Sequence, residues 1–304
     1  MPSSLKGVIP PVPTIVDDRG RFDEEGMAML LDRIIASGVH GMLITGSGGE
    51  FSHMSVEMRK QVIAFAVRHT NGRLPVMAGI GMPGTQEVLE LGRHAEAVGA
   101  DAVLVVNPYY ALLSEEALYQ HYRTIAGALR VPVYLYNFPA LTGQDLSVQM
   151  IKRLALDFET IAGLKDTVDC KSHTRQVIVE VKSQRPDFKV FAGYDEYMLD
   201  TLILGGDGGI PASANFAPEI CCGIYEAFQN RDVETIIALE RRLAHLSAIV
   251  ALDAPFFGLL KEAVRLTGSP DLSTAVLAPA LHPTEEKKAI LVDLLKRAGL
   301  SPAR

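Results

Sequence analysis

Cysteine is scarce: Cys170, Cys221 and Cys222 are the only three in 304 residues. Two are adjacent and the third is distant, which excludes a disulfide framework and a CxxC metal knuckle. They read as small buried apolar residues. Long apolar runs are also missing, since no stretch reaches the roughly 18 to 20 residues that a membrane span needs. Met1 to Gly7 hold no apolar h-region and no small-residue cleavage site, so the expectation is a cytoplasmic protein. Basic clusters are absent: 29 Lys and Arg stand against 36 Asp and Glu, a net charge of −7 that argues against nucleic acid or an anionic membrane as partner. The eight histidines form no HxH or HExxH pair, and Asp17-Asp18 and Asp23-Glu24-Glu25 lack calcium-loop spacing, so no metal is expected.

What is present is a rhythm. Short β-branched apolar runs alternate with Gly, Pro, Asn or Asp punctuation and then with 3.6-residue patterns such as Met27-Leu30-Leu31-Ile34-Ile35. The runs are Gly7–Val16, His40–Thr45, Pro75–Ile80, Ala102–Val106, Pro132–Tyr136, Ile161–Leu164, Lys189–Ala192 and a short one at Gly208–Ile210. Near-continuous apolar strands indicate a parallel sheet covered on both faces. Eight such units in a row predict an α/β fold, a (β/α)8 TIM barrel over residues 1–229. A doubly wound sheet uses the same units and stays the alternative. Residues 230–304 read as a C-terminal helical extension, with helices over Val233–Val250, Pro255–Leu266 and Glu285–Ala298. Asp23, Ser55, Thr85, Ser114 and Ser147 are the expected helix N-caps.

A barrel places its active site on the loops after the strands. Gly79-Ile80-Gly81-Met82-Pro83-Gly84 there matches GxGxxG, the pattern of a dinucleotide site. Asn107 ends the next strand where a ribose-binding acid would stand, and Pro83 removes an N–H from the turn, so a plain strand-to-helix loop is the preferred reading. Lys165 carries more information, because it attaches an ammonium to the end of the apolar run Ile161–Leu164. Buried amines shed their proton more readily than solvated ones. A neutral amine attacks carbonyls to form a Schiff base, an electron sink for carbon–carbon bond chemistry. A lysine that curls outward or pairs with Asp166 or Asp169 is the competing reading. Tyr136, at the end of the preceding strand, is a candidate proton shuttle. Gly46-Ser47-Gly48-Gly49-Glu50 follows the second strand, and its N–H groups with the Ser47 hydroxyl can form an anion nest or simply a tight turn. Lys165 is the one Lys or Arg in the strand-end segments, which favours an unphosphorylated carboxylate substrate. Asp195 and Glu196 suit accepting hydrogen bonds from sugar hydroxyls, or capping a helix.

These segments, with Asn107-Pro108-Tyr109-Tyr110, Tyr136-Asn137-Phe138-Pro139, Gly163-Leu164-Lys165-Asp166-Thr167, Gly193-Tyr194-Asp195-Glu196 and Gly205-Gly206-Asp207-Gly208-Gly209-Ile210, resemble the class I aldolase superfamily of dihydrodipicolinate synthase and N-acetylneuraminate lyase. The resemblance implies a homotetramer in which Lys165 forms a Schiff base with a 2-keto acid and Tyr136 is the catalytic acid/base. It further implies that Ser47 and Gly48 hold the keto acid's carboxylate and that Tyr110 completes the proton relay from a neighbouring subunit. Thr167 would line the site, and Gly193, Asp195, Glu196, Ile210 and Ser213 complete the expected substrate-binding set. Leu141 stands where the synthase has an Arg for its aldehyde substrate, and Gly48 replaces the synthase's second Thr. The chain is most similar to bacterial 2-keto-3-deoxy sugar-acid aldolases, through Tyr136–Asp145 and Gly205–Pro218. The expectation is retro-aldol cleavage of an unphosphorylated 2-keto-3-deoxy aldonate (gluconate, galactonate or pentonate) to pyruvate and a hydroxyaldehyde, without a cofactor. N-acetylneuraminate lyase and 4-hydroxy-2-oxoglutarate aldolase are the rivals within the class. A non-catalytic keto-acid-binding barrel and an NAD(P)-dependent oxidoreductase are those outside it.

Overall fold

The structure, a computed structural model, describes residues 5–302. Eight parallel strands follow one another around a sheet: β1 (Gly7–Val8), β2 (Met42–Ile44), β3 (Val76–Gly79), β4 (Ala102–Val106), β5 (Val133–Asn137), β6 (Ile161–Asp166), β7 (Lys189–Ala192) and β8 (Gly208–Gly209). From β2 to β8 each strand pairs with its sequence neighbour, and β1 pairs with β8. The ring closes where Pro11 bridges Leu43, through Val12 N–H to Leu43 O (2.9 Å) and Leu43 N–H to Pro10 O (2.9 Å). The result is a (β/α)8 barrel.

One expected strand is much shorter than its apolar run. Gly7–Val16 contributes two residues to the ladder, because Pro10, Pro11 and Pro13 have no N–H to donate.

The helices α1 (Glu24–Ala36), α2 (Val56–Thr70), α3 (Thr85–Val98), α4 (Glu115–Ala128), α5 (Pro139–Thr142), α6 (Val148–Asp157), α7 (Lys171–Val177), α8 (Met198–Ile203) and α9 (Pro218–Asn230) connect or follow the strands. Asp23, Ser55, Ser114 and Ser147 cap their helices by accepting the N–H of Gly26, Met58, Ala117 and Met150. Each such cap contributes about 1 kcal/mol. Thr85 does not cap: Gly84 holds that position, and the Thr85 hydroxyl bonds His121 Nδ1 at 2.8 Å.

The extension forms α10 (Val233–Ser247), α11 (Phe257–Leu266) and α12 (Glu285–Arg297). Leu243, Leu246, Leu259, Leu260, Leu291 and Leu295 bury them in the same core as α1 and α9. Inside the barrel lie Leu43, Met77, Leu104, Tyr134, Phe191 and Ile210. Cys221 and Cys222 are buried as expected, whereas Cys170 is exposed at the start of α7. Among the described residues no helix is long and apolar enough to cross a membrane.

Candidate active site

Lys165 and Tyr136 are register partners on β6 and β5, and both are buried near the C-terminal ends of those strands. The Lys165 Nζ sits 4.3 Å from the centre of the Tyr136 ring. Neither carboxylate that could have neutralised the amine is available to it. Asp166 accepts from His173 Nδ1 (2.9 Å), Thr174 Oγ1 (2.7 Å) and Asn137 Nδ2 (3.2 Å), and Asp169 accepts from the Tyr197 hydroxyl. Lys165 therefore lies inside the barrel mouth, with no ion-pair partner among the described residues.

The Ser47–Gly49 segment is a single 3₁₀ turn after β2, flanked by Thr45 and Glu50 in the left-handed region (φ 54° and 61°). Residues other than glycine enter that region at a cost of about 1 kcal/mol or more, so the surroundings hold this turn in shape. Thr45 is fixed by its hydroxyl on Gly79 O (2.8 Å). Hydrogen bonds inside the turn begin with Gly49 N–H to Gly46 O, leaving the Ser47 and Gly48 N–H groups ahead of them. The Ser47 hydroxyl lies 3.3 Å from the Tyr136 hydroxyl. Ser47, Tyr136, Thr45, Phe51, Gly79 and Gly81 line one small cavity at this end of the barrel.

Thr167 and Gly193 meet at the C-terminal end of β6. Gly193 N–H bonds Asp166 O (2.8 Å), and a Cβ on Gly193 would lie 1.7 Å from Thr167 Oγ1. Only glycine leaves room for Thr167, whose buried Oγ1 has no partner. Gly193→Ala is expected to displace Thr167, two residues from Lys165 on the same strand end, and to lower carbonyl adduct formation by about tenfold. Trapping rates measured on folded variant and parent check this.

Two of the expected substrate-binding residues hold one another. Asp195 accepts Ala212 N–H (2.8 Å), Ser213 N–H (2.8 Å) and the Ser213 hydroxyl, and both side chains are buried. Burial raises the Asp195 carboxyl above the usual range, and these hydrogen bonds oppose the rise. Asp195 thus acts as a clamp on the loop after β8. Ile210 packs in the barrel interior, and Glu196 stands exposed at the rim. Tyr110 is not brought to the site by its own chain: it is 99% exposed, on a backbone with φ 78°.

Several neighbours of the site were not singled out from sequence. Arg59, on α2, is fully buried and donates to Gly79 O (2.7 Å) and Gly81 O (2.9 Å), with its guanidinium over the Phe51 ring. Burial lowers its pKa to about 10. The GxGxxG loop thus turns two carbonyls toward a cation. Its glycines are required by packing, since a Cβ on Gly79 would lie 2.3 Å from Thr45 O, and one on Gly81 would lie 2.4 Å from Val106 Cγ1. Phe138 joins Tyr136 to Tyr194 in an aromatic row at the mouth (centroids 5.9 and 6.1 Å).

His173 supports the strand that carries Lys165. Its ring nitrogens face Asp166 Oδ2 (2.9 Å) and Leu146 O (3.0 Å), two acceptors that call for both N–H groups of the imidazolium. Burial alone would lower its pKa. The hydrogen bond and charge of Asp166, the Asp145 charge and the Leu146 carbonyl outweigh burial and raise it to about 9. A raised folded-state pKa stabilises the fold fully below the unfolded value near 6.5, and the contribution is lost as pH rises through about 9. Urea midpoints are expected to fall between pH 6.5 and 9.5, by on the order of 2 kcal/mol in stability. His173→Gln should flatten that dependence.

A model of the dihydrodipicolinate synthetase family matches residues 4–298. The chain is 44% identical over 298 residues to the probable 2-dehydro-3-deoxy-D-pentonate aldolase YjhH of Escherichia coli, covering 98% of this chain and 99% of the relative. It is 43% identical over 302 residues to Escherichia coli YagE, provisionally named a 2-dehydro-3-deoxy-D-gluconate aldolase, covering 99% and 100%. The crystal structure of YagE in complex with pyruvate is similar at a TM-score of 0.96, covering 98% of this chain and 99% of that one. Dihydrodipicolinate synthase from Aquifex aeolicus, 27% identical, gives 0.92 over 99% and 100%.

Proposed function

The chain belongs to the dihydrodipicolinate synthetase family, and from that premise we propose that it is a Schiff-base aldolase cleaving an unphosphorylated 2-keto-3-deoxy aldonate. The observation that carries the reading is the buried, unpaired Lys165 amine over the Tyr136 ring, with the Tyr136 hydroxyl 3.3 Å from Ser47. YjhH and YagE, named as aldolases of this substrate class, support the same choice.

In this reading the substrate carboxylate sits on the Ser47 and Gly48 N–H groups and the Ser47 hydroxyl. Lys165 adds to the keto carbon and loses water to form the imine. Tyr136 takes the proton from the hydroxyl on the fourth carbon as the bond between the third and fourth carbons breaks. The bonding pair flows into the iminium, giving an enamine and releasing the hydroxyaldehyde. The enamine is protonated on the third carbon, and water then frees pyruvate and Lys165. Thr167, Gly193 and Ile210 shape the wall around the keto group, and Glu196 at the rim faces the sugar hydroxyls. Asp195 and Ser213 keep the β8 loop in place.

Tyr110 would enter the relay from a neighbouring copy. Its full exposure and left-handed backbone fit a side chain directed away from its own barrel, and the assembly would be the homotetramer implied by the family resemblance. The reaction suits the cytoplasm and needs no organic cofactor. A phosphorylated substrate finds little to hold it, because both Arg59 Nη donors are committed to carbonyls.

A panel tests the assignment: 2-keto-3-deoxy-gluconate, -galactonate and -pentonate, the 6-phosphate of the first, N-acetylneuraminate and 4-hydroxy-2-oxoglutarate, each assayed for pyruvate release. An unphosphorylated aldonate is expected to exceed the phosphate and both rival substrates in kcat/KM by at least about tenfold. Preference for the phosphate, for N-acetylneuraminate or for 4-hydroxy-2-oxoglutarate would overturn the substrate class.

A further inference from the structure

The turn that offers Ser47 and Gly48 is fastened by a helix of the C-terminal extension. Glu50, directly after it, is wholly buried. One of its carboxylate oxygens accepts Leu277 N–H at 2.7 Å, and the other is ion-paired with Lys261 Nζ. Lys261, on α11, is equally buried and also donates to Ala275 O at 2.6 Å. The same helix end presses on the turn, since a Cβ on Gly48 would lie 3.2 Å from Leu260 Cδ2 and 3.5 Å from Phe256 Cζ. From the opposite side the Val12 carbonyl stands 2.9 Å from where a Cβ on Gly49 would be.

Such a pair is poorly explained by stability. Two charges removed from water recover their desolvation cost only in good geometry, and apolar residues of like volume often do as well or better. What these contacts add is placement: the Leu277 N–H bonds one Glu50 oxygen, the Lys261 ammonium pairs with the other, and Glu50 fixes the end of a turn whose flanking residues are strained. Burial lowers the Lys261 pKa, and Glu50 opposes that shift.

We propose that Glu50 and Lys261 form a positioning pair that holds the Ser47–Gly48 turn in its carboxylate-binding geometry, making the C-terminal extension part of keto-acid recognition. The inference rests on the proposed roles of Lys165 and of the Ser47–Gly48 turn. It predicts a defect in recognising the carboxylate and none in the amine.

The test is borohydride trapping of the pyruvyl adduct across pyruvate concentrations, for the full-length parent and for Glu50→Gln, Lys261→Met and Lys261→Arg. Methyl pyruvate, which has no charged carboxylate, is run in parallel. In the Glu50→Gln and Lys261→Met variants the half-saturating pyruvate concentration should rise at least about tenfold, while trapping at saturation stays within about threefold of the parent. Half-saturation by methyl pyruvate should move less than about threefold. Lys261→Arg keeps the charge with a different reach and should fall between parent and Lys261→Met. Folded variants with unchanged half-saturation, or with equal losses for both ketones, would refute positioning. So would a set in which no variant folds, since the pair would then serve stability alone. A parent that traps no pyruvate would refute the Schiff-base reading itself, a result distinct from all of these.

Discussion

Replacing Lys165 with alanine is expected to lower pyruvate release from a 2-keto-3-deoxy aldonate by about 10⁴-fold or more, without unfolding the chain. The size follows from the role proposed for the amine: without it there is no imine, and the electrons of the breaking bond have no sink. The tolerance of the fold follows from the structure. Lys165 has no carboxylate partner, so its removal strands no buried charge, and Asp166 keeps His173, Thr174 and Asn137. The contrast with Lys261→Ala is instructive, because that change would leave Glu50 buried and unpaired, a loss of roughly 3–5 kcal/mol. Circular dichroism and a urea midpoint close to the parent's, together with the lost activity, are the expected pair of results. Cleavage retained in Lys165→Ala would remove the amine from the mechanism.

Tyr136→Phe should cost about 10²- to 10⁴-fold in kcat, the usual span for loss of a positioned acid/base. The substitution deletes one hydroxyl and leaves the ring, which packs beside Phe138 and under the Lys165 amine. The hydroxyl's partner, Ser47 Oγ at 3.3 Å, belongs to a half-buried residue, so its loss strands no dry polar group. Stability should therefore change little. The effect should also differ in kind from Ser47→Ala, which under the proposed mechanism removes a contact to the substrate carboxylate and should act chiefly on KM. Steady-state kinetics of both variants on one aldonate separate the roles. A Tyr136→Phe enzyme altered only in KM would take proton transfer away from this residue.

The barrel was readable because its signal is local. Strands covered on both faces are apolar end to end, as in Val103–Val106 and Val133–Leu135, and hydroxyl or carboxylate caps open six of the helices. The first strand misled because apolar character persists through Pro10, Pro11 and Pro13 while hydrogen-bonding capacity does not. Lys165 and Tyr136 were legible as polar residues at the ends of apolar strands, where a barrel builds its site. Asp195 and Ser213 were legible as polar residues in the right loops, but a pairing across 18 positions leaves no trace in either segment. The cations Arg59 and Lys261 did leave one. Each occupies the apolar face of a helix, Arg59 beside Val62 and Ile63, and Lys261 beside Leu260 and Val264. A charge in that position needs an internal partner, and the helix pattern alone does not say which residue supplies it. Tyr110 stands exposed in one chain, and its proposed role depends on a second copy.

The most direct test of the account is to incubate the protein with pyruvate, reduce with borohydride, digest, and locate the modified residue by mass spectrometry. One reduced pyruvyl group on Lys165, absent in Lys165→Ala and absent without pyruvate, is the predicted result. Pyruvate that binds yet leaves Lys165 unmodified, or an adduct on another lysine, would contradict it.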